Sequence, residues 1–331
     1  MFLKTVVRII SLLTLASIAL AQTPSPALLI LEKSDKSLAI VDPATLKVTA
    51  RVPAGEDPHE IVASEDGKFA YISNYGAFQN PQHTLTAVDL TSQKALPIVD
   101  LGSLRAPHGL QMLHGKVYFT AEGSKAIGRY DPATHTIDWA LGLGQNRTHM
   151  LVVAKDESRI FTSNVNGDSI SILDRDMKAD VSGWTQSTIP VGKGPEGFDV
   201  SPDGKELWAA NSGDGTVSVV DLGSRKVVQT IDVHTKHSNR LEFTHDGKLV
   251  LISDLGNGDL VIVDAAGRKE IKRVNIGHGC AGILIAPDGS HAYIAVSSDN
   301  NVAVFDLKTL SVTGRIPTGK GPDGLAWAAS K

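Results

Sequence analysis

The chain has 331 residues, 42% of them hydrophobic and 21% charged, and carries a formal net charge of −4 at pH 7. That balance is ordinary for a globular protein, and without a Lys/Arg cluster it argues against nucleic acid as a main partner. A single cysteine, Cys280, excludes an internal disulfide, a CxxCH haem attachment and a cysteine-based zinc knuckle.

The chain opens with a leader. Lys4 and Arg8 give a positive start, Ile9 to Leu20 is apolar apart from small hydroxyl residues, and Ala19-Leu20-Ala21 offers a small-x-small cleavage site. Residues 1–21 are expected to be a signal peptide, with Gln22 starting the mature chain. The apolar core is shorter than the roughly 20 residues a spanning helix needs. A periplasmic or extracellular protein with no membrane span after cleavage is therefore expected, with residues 22–331 forming one domain.

Beyond the leader the sequence repeats. Gly194-Pro195-Glu196-Gly197-Phe198 reads as a turn and a short strand, and Ser201-Pro202-Asp203-Gly204 as the tight turn that follows. Its relatives begin at Pro58, Pro107, Thr148, Ser238, Cys280 and Pro322. A second marker, a hydrophobic residue followed by Asp, closes a strand at Asp42, Asp89, Asp131, Asp174, Asp221, Asp264 and Asp306. Both markers count seven units. The aspartates are expected to bond backbone N–H groups in the turns after them.

Between the markers the pattern is strand-like, as in Thr216-Val217-Ser218-Val219-Val220, and no long segment has a helical period. Four strands per unit make a propeller blade. The expected fold is all-β: a seven-bladed β-propeller of four-stranded blades. Leu28 to Leu31 reads as a second strand and Leu325 to Ala328 as a first strand, so the two ends should pair in one composite blade and close the ring.

Tyr71-Ile72-Ser73-Asn74, Phe161-Thr162-Ser163-Asn164 and Trp208-Ala209-Ala210-Asn211, with Ser201-Pro202-Asp203-Gly204 and Ala286-Pro287-Asp288-Gly289, resemble the repeats of the YVTN family of β-propellers over nearly all of the mature chain. That family includes surface-layer and envelope proteins, ligand-binding modules and lactonase-like relatives. The resemblance implies the fold and leaves two functions open. The first is an envelope protein that binds a ligand or partner at its top face. The second is a metal-assisted hydrolase or lyase of lactonase type, with Glu196 or Asp323 as general base.

In a propeller the first strand of each blade lines the central channel, so the second residue of each repeat should stand in a ring at the channel mouth. In blade order that ring is His59, His108, His149, Glu196, Asn239, Ala281 and Asp323. Three histidines and a carboxylate suit a divalent transition metal such as zinc or copper, and His59, His108, His149 and Glu196 are the expected ligands. Asn239, Arg240 and Asp323 are expected to contact a small molecule, or an envelope protein docked on the same face. The same pattern also suits a wet mouth whose polar groups bond only water and backbone. The protein is expected to be a monomer.

Weaker candidates surround the ring. Cys280, His278 and His237 lie beside it in sequence. Asn74, Asn164, Asn211 and Asp254 should end second strands and bond loop backbone. Tyr75 to His83 reads as the longest top-face connection, a candidate lid or aromatic wall. Trp184 falls in an insertion that lengthens the fourth blade.

Overall fold

A computed structural model describes residues 23, 25–77, 79–178 and 182–329. The expected signal peptide, residues 1–21, lies outside the described residues. Among the described residues no helix is long and apolar enough to cross a membrane.

Seven antiparallel sheets form the seven blades. Blade 1 is composite: Pro322–Ala328 is its inner strand, followed outward by Ala27–Glu32, Ser37–Asp42 and Lys47–Pro53. Leu28 faces Trp327 and Ile30 faces Leu325 across the junction, the expected register. The inner strands of blades 2 to 7 are Pro58–Ala63, Pro107–Leu113, Thr148–Val153, Pro195–Val200, Ser238–Phe243 and Cys280–Ile285.

The ring holds together by burial between blades. Because strand side chains alternate, Leu29 and Leu31 pack toward blade 2 while Leu28 and Ile30 pack toward blade 7. Seven apolar clusters result, one in each space between neighbouring blades. Asp42 accepts from the Ala44 N–H at 2.9 Å and from the Thr45 hydroxyl at 2.8 Å, and the other repeated aspartates act alike except Asp174, which pairs with Arg159 and Arg225 instead. Inner strands approach one another closely near the axis. A Cβ on Gly324 would come within 2.5 Å of the His59 carbonyl oxygen, so only glycine fits there.

Three local expectations need correction. Tyr75 to His83 is not a loop: the strands Phe69–Ala77 and Asn80–Asp89 run on as a hairpin, with Gly76 facing Pro81. Trp184 opens the fourth strand of blade 4 and packs on Trp139 with ring centres 5.9 Å apart, so it belongs to the blade rather than to an insertion. Asp254 does bond loop backbone, at Lys236 and His237, but Asn74, Asn164 and Asn211 donate instead to Thr and Ser hydroxyls of the third strand. Their third-strand neighbours carry hydroxyls within hydrogen-bond reach, which take up the amide donors.

Candidate active site at the channel mouth

Each inner strand makes a regular pair at its first residue and then slips register, a bulge repeated in all seven blades. A bulge re-aims the side chain that follows it. The second residue of every inner strand therefore occupies the same place around the axis. Six of the seven ring residues, all but the buried Ala281, are polar, and all seven line one cavity of about 590 Å³.

His108 and His149 are buried and stacked, with ring centres 3.8 Å apart. His59 lies 4.7 Å from His108, centre to centre. Both nitrogens of His59 are engaged, Nε2 with the Lys33 ammonium at 2.6 Å and Nδ1 with the Asp57 carbonyl at 3.1 Å. Since the ammonium can only donate, Nε2 accepts and Nδ1–H donates, so His59 is neutral. Burial, and next the Lys33 charge, push its imidazole below the ordinary range.

His149 Nδ1 makes a short hydrogen bond with Glu122 Oε1. Glu122 is a buried residue that the ring alignment does not reach. Tyr75 donates its hydroxyl to the other carboxylate oxygen at 2.6 Å, and the Arg147 Nε lies 3.4 Å away. Burial would raise the Glu122 carboxyl, but His149, then Tyr75 and Arg147, hold it below its usual value. Tyr75 also packs on His59 and His108, so the extended hairpin of blade 2 supplies an aromatic wall.

Glu196 stands on the other side of His149, with Oε1 3.7 Å from its Nε2 and 3.7 Å from the Arg147 guanidinium. Its Oε2 is 3.2 Å from His237 Nε2. Burial again pushes upward, and pairing with His237, then the neighbouring His149 and Arg147, outweighs it, leaving Glu196 ionised. His237 moves the opposite way: pairing with Glu196 raises its imidazolium against the effect of burial.

Further round, Arg240 is buried, bonded to Glu60 Oε1, and directs its other guanidinium nitrogen to Met150 Sδ at 3.1 Å. Asn239 keeps a buried Oδ1 without a partner. Asp323 lies 3.5 Å from Lys33. These three expected ligand contacts all line the cavity. Cys280 faces away, fully buried in the apolar cluster between blades 6 and 7, and burial pushes its thiol far above the ordinary range. It does not line the cavity.

The four residues expected to share a metal are brought to one cavity but not to one point. One nitrogen or oxygen from each of His108, Glu122 and His149 lies within 4.8 Å of the others. His59 is held off by Lys33, and Glu196 by His237. Glu122 follows the second-strand residue that pairs with the first residue of its inner strand, a position the ring alignment does not sample. The same position in other blades holds Lys33, Tyr75, Leu255 and Ser297, all at or beside the cavity.

A seven-bladed propeller with this polar channel mouth defines a class, and the sequence places the chain within it. The chain belongs to the family described as lactonase, 7-bladed beta-propeller, whose profile matches residues 120–329, well over half of its length. A lactonase-like propeller is thus the relative that the family match supports. No curated protein matches the chain in sequence. Among solved structures it is similar to the periplasmic gluconolactonase PpgL of Pseudomonas aeruginosa, at 15% identity and a TM-score of 0.73, over 93% of this chain and 100% of that one. It is similar also to a candidate 6-phosphogluconolactonase of Bacteroides uniformis, at 18% identity and a TM-score of 0.76, over 92% and 99%. A protein of unknown function from Desulfotomaculum acetoxidans matches at 11% identity and a TM-score of 0.75, over 93% and 100%. At such identities the likeness shows the fold alone.

Proposed function

We propose that this protein hydrolyses a lactone, of the sugar-lactone class, in the cavity at the channel mouth. The observation that carries the proposal is the Glu196–His237 pair beside Arg147, in a chain of the lactonase family. Family membership favours hydrolysis over a purely binding role at the envelope.

Glu196 and His237 are pushed in opposite directions, which separates the two proton-transfer roles. A water between Glu196 and the lactone attacks the carbonyl carbon, and Glu196 takes its proton. The negative charge on the carbonyl oxygen faces the Arg147 guanidinium. Collapse breaks the ring C–O bond, and the leaving oxygen takes a proton from the His237 imidazolium. Glu196 then returns its proton to His237 across 3.2 Å, and the product carboxylic acid ionises to solvent. The reaction consumes one water and releases one proton, with no redox change.

Replacing Glu196 by Gln keeps the shape and removes the base, and should lower kcat/KM for a sugar lactone by about 10²–10⁴. A Glu196→Gln variant as active as the parent would remove this mechanism.

The same proposal includes export. The leader and the cleavage pattern before Gln22 support a periplasmic or extracellular enzyme. N-terminal sequencing should recover Gln22, and recovery of Met1 from a membrane fraction would refute it.

A further inference from the structure

We propose that His108, Glu122 and His149 form a divalent transition-metal site of zinc type, with an open coordination position facing the channel cavity. The proposal stands apart from the hydrolase reading, since metal binding is measured without any substrate.

Three observations carry it. One ligand atom from each of the three residues lies within 4.8 Å of the others, and a common ion at about 2.0–2.1 Å would draw His108 in while the direct His149–Glu122 hydrogen bond opens to admit it. His108 Nδ1 is buried and has no hydrogen-bond partner, and an orphaned buried nitrogen beside a carboxylate needs an explanation. A metal ion supplies the missing partner. The surroundings of His149 are those of a metal ligand. With Nδ1 on the ion, its other ring nitrogen lies 3.7 Å from Glu196 Oε1, a carboxylate that a small rotation would bring into hydrogen-bond range.

The groups around the set are built to hold it. Tyr75 bonds the second oxygen of Glu122 at 2.6 Å, and an ion would take Oε1 in place of the hydrogen bond that His149 Nδ1 makes with it. The Thr120 hydroxyl donates to the His149 carbonyl at 2.7 Å and anchors that strand beside its neighbour. Arg147, 3.4 Å from Glu122, also lies 3.7 Å from Glu196 and has that carboxylate to turn to when an ion takes Glu122.

Two imidazoles and a carboxylate with a free fourth position match open zinc sites rather than closed structural ones. His108 and His149 line the cavity while Glu122 lies behind them, so the free position points inward to the cavity. Bound there, an ion polarises a carbonyl or a water next to Glu196.

The test uses full-length mature protein stripped with a chelator and titrated with Co²⁺ and then Zn²⁺. The expected result is one equivalent of Co²⁺ with the visible bands of a four- or five-coordinate ion, displaced by Zn²⁺. Glu122→Gln and His108→Ala should each weaken Zn²⁺ binding by at least 100-fold. His59→Gln, outside the set, should change it less than fivefold. X-ray absorption of the zinc-loaded parent should show two imidazoles, and needs no variant to fold. Binding unchanged by both Glu122→Gln and His108→Ala, or a zinc shell without imidazole, would overturn the proposal. Hydrolysis that persists in the stripped protein would leave the lactonase reading intact and show the ion to be dispensable for it.

Discussion

The Thr120 hydroxyl donates to the His149 carbonyl at 2.7 Å while accepting the Gly109 N–H at 2.9 Å, and so ties blade 3 to blade 4 directly beneath the stacked histidines. Ser163 repeats the device one blade on, donating to the Glu196 carbonyl at 3.0 Å. The ring residues are thus fixed by their backbones as well as by their side chains.

Thr120→Val keeps the shape and removes both bonds, leaving a buried donor and a buried acceptor unpaired. It should cost about 2 kcal/mol of stability, and Thr120→Ser should recover most of that. Urea unfolding of the three proteins checks it. Equal stability of Val and Thr would show that the tie contributes nothing.

Arg147 occupies the turn before its inner strand with φ of 56°, where the equivalent turns of blades 5, 7 and 1 have Gly194, Gly279 and Gly321. A large side chain in left-handed backbone costs stability, and such strain tends to cluster at functional sites. Arg147→Gly should therefore be neutral or stabilising by up to about 1 kcal/mol, and should still lower kcat/KM for a lactone at least tenfold. Loss of stability without loss of activity would assign Arg147 to the scaffold alone.

Asp199 and Glu242 lie at the other end of the inner strands and share a second cavity. Burial pushes Asp199 up to about 6, and burial followed by the Asp199 charge pushes Glu242 well above the carboxylate range. Raised acids make the folded state bind more protons than the unfolded chain. Their destabilising effect is absent below about pH 4 and grows as pH rises toward the folded values, by up to about 1.4 kcal/mol per pH unit per proton. Glu242→Gln should raise Tm at pH 7.5 and leave it nearly unchanged at pH 4. A uniform shift at both pH values would contradict the assignment.

The clasp in blade 1 gives a fourth prediction. Truncation before Gly321 removes the strand that pairs with Leu28 to Ile30, exposes apolar side chains in two clusters and opens the ring. The shortened protein should lose cooperative thermal unfolding altogether. An unchanged Tm would mean that the ring does not depend on its closure.

The fold was legible because every blade repeats two markers at strand ends, and a propeller is what four-strand units of this period build. The ring was legible for the same reason: His59, His108, His149 and Glu196 follow the same bulge in successive blades. Glu122 escaped because its counterparts, Lys33, Tyr75, Val165, Ser212, Leu255 and Ser297, share a position and no chemistry. The hairpin beyond Tyr75 escaped because Asn80-Pro81 reads as a turn, whereas Pro81 sits in the extended strand opposite Gly76. The engagement of both His59 nitrogens depends on Lys33, brought to it from another blade, and no spacing encodes that contact.

Lactone opening by the Glu196–His237 pair at the channel mouth is tested by proton release from glucono-δ-lactone and its 6-phosphate, followed at constant pH against spontaneous ring opening. The rate should be proportional to enzyme, saturate with at least one of these lactones and fall at least 100-fold in Glu196→Gln. A parent protein that adds nothing to the spontaneous rate with either lactone, or a Glu196→Gln variant that keeps the full rate, would contradict it.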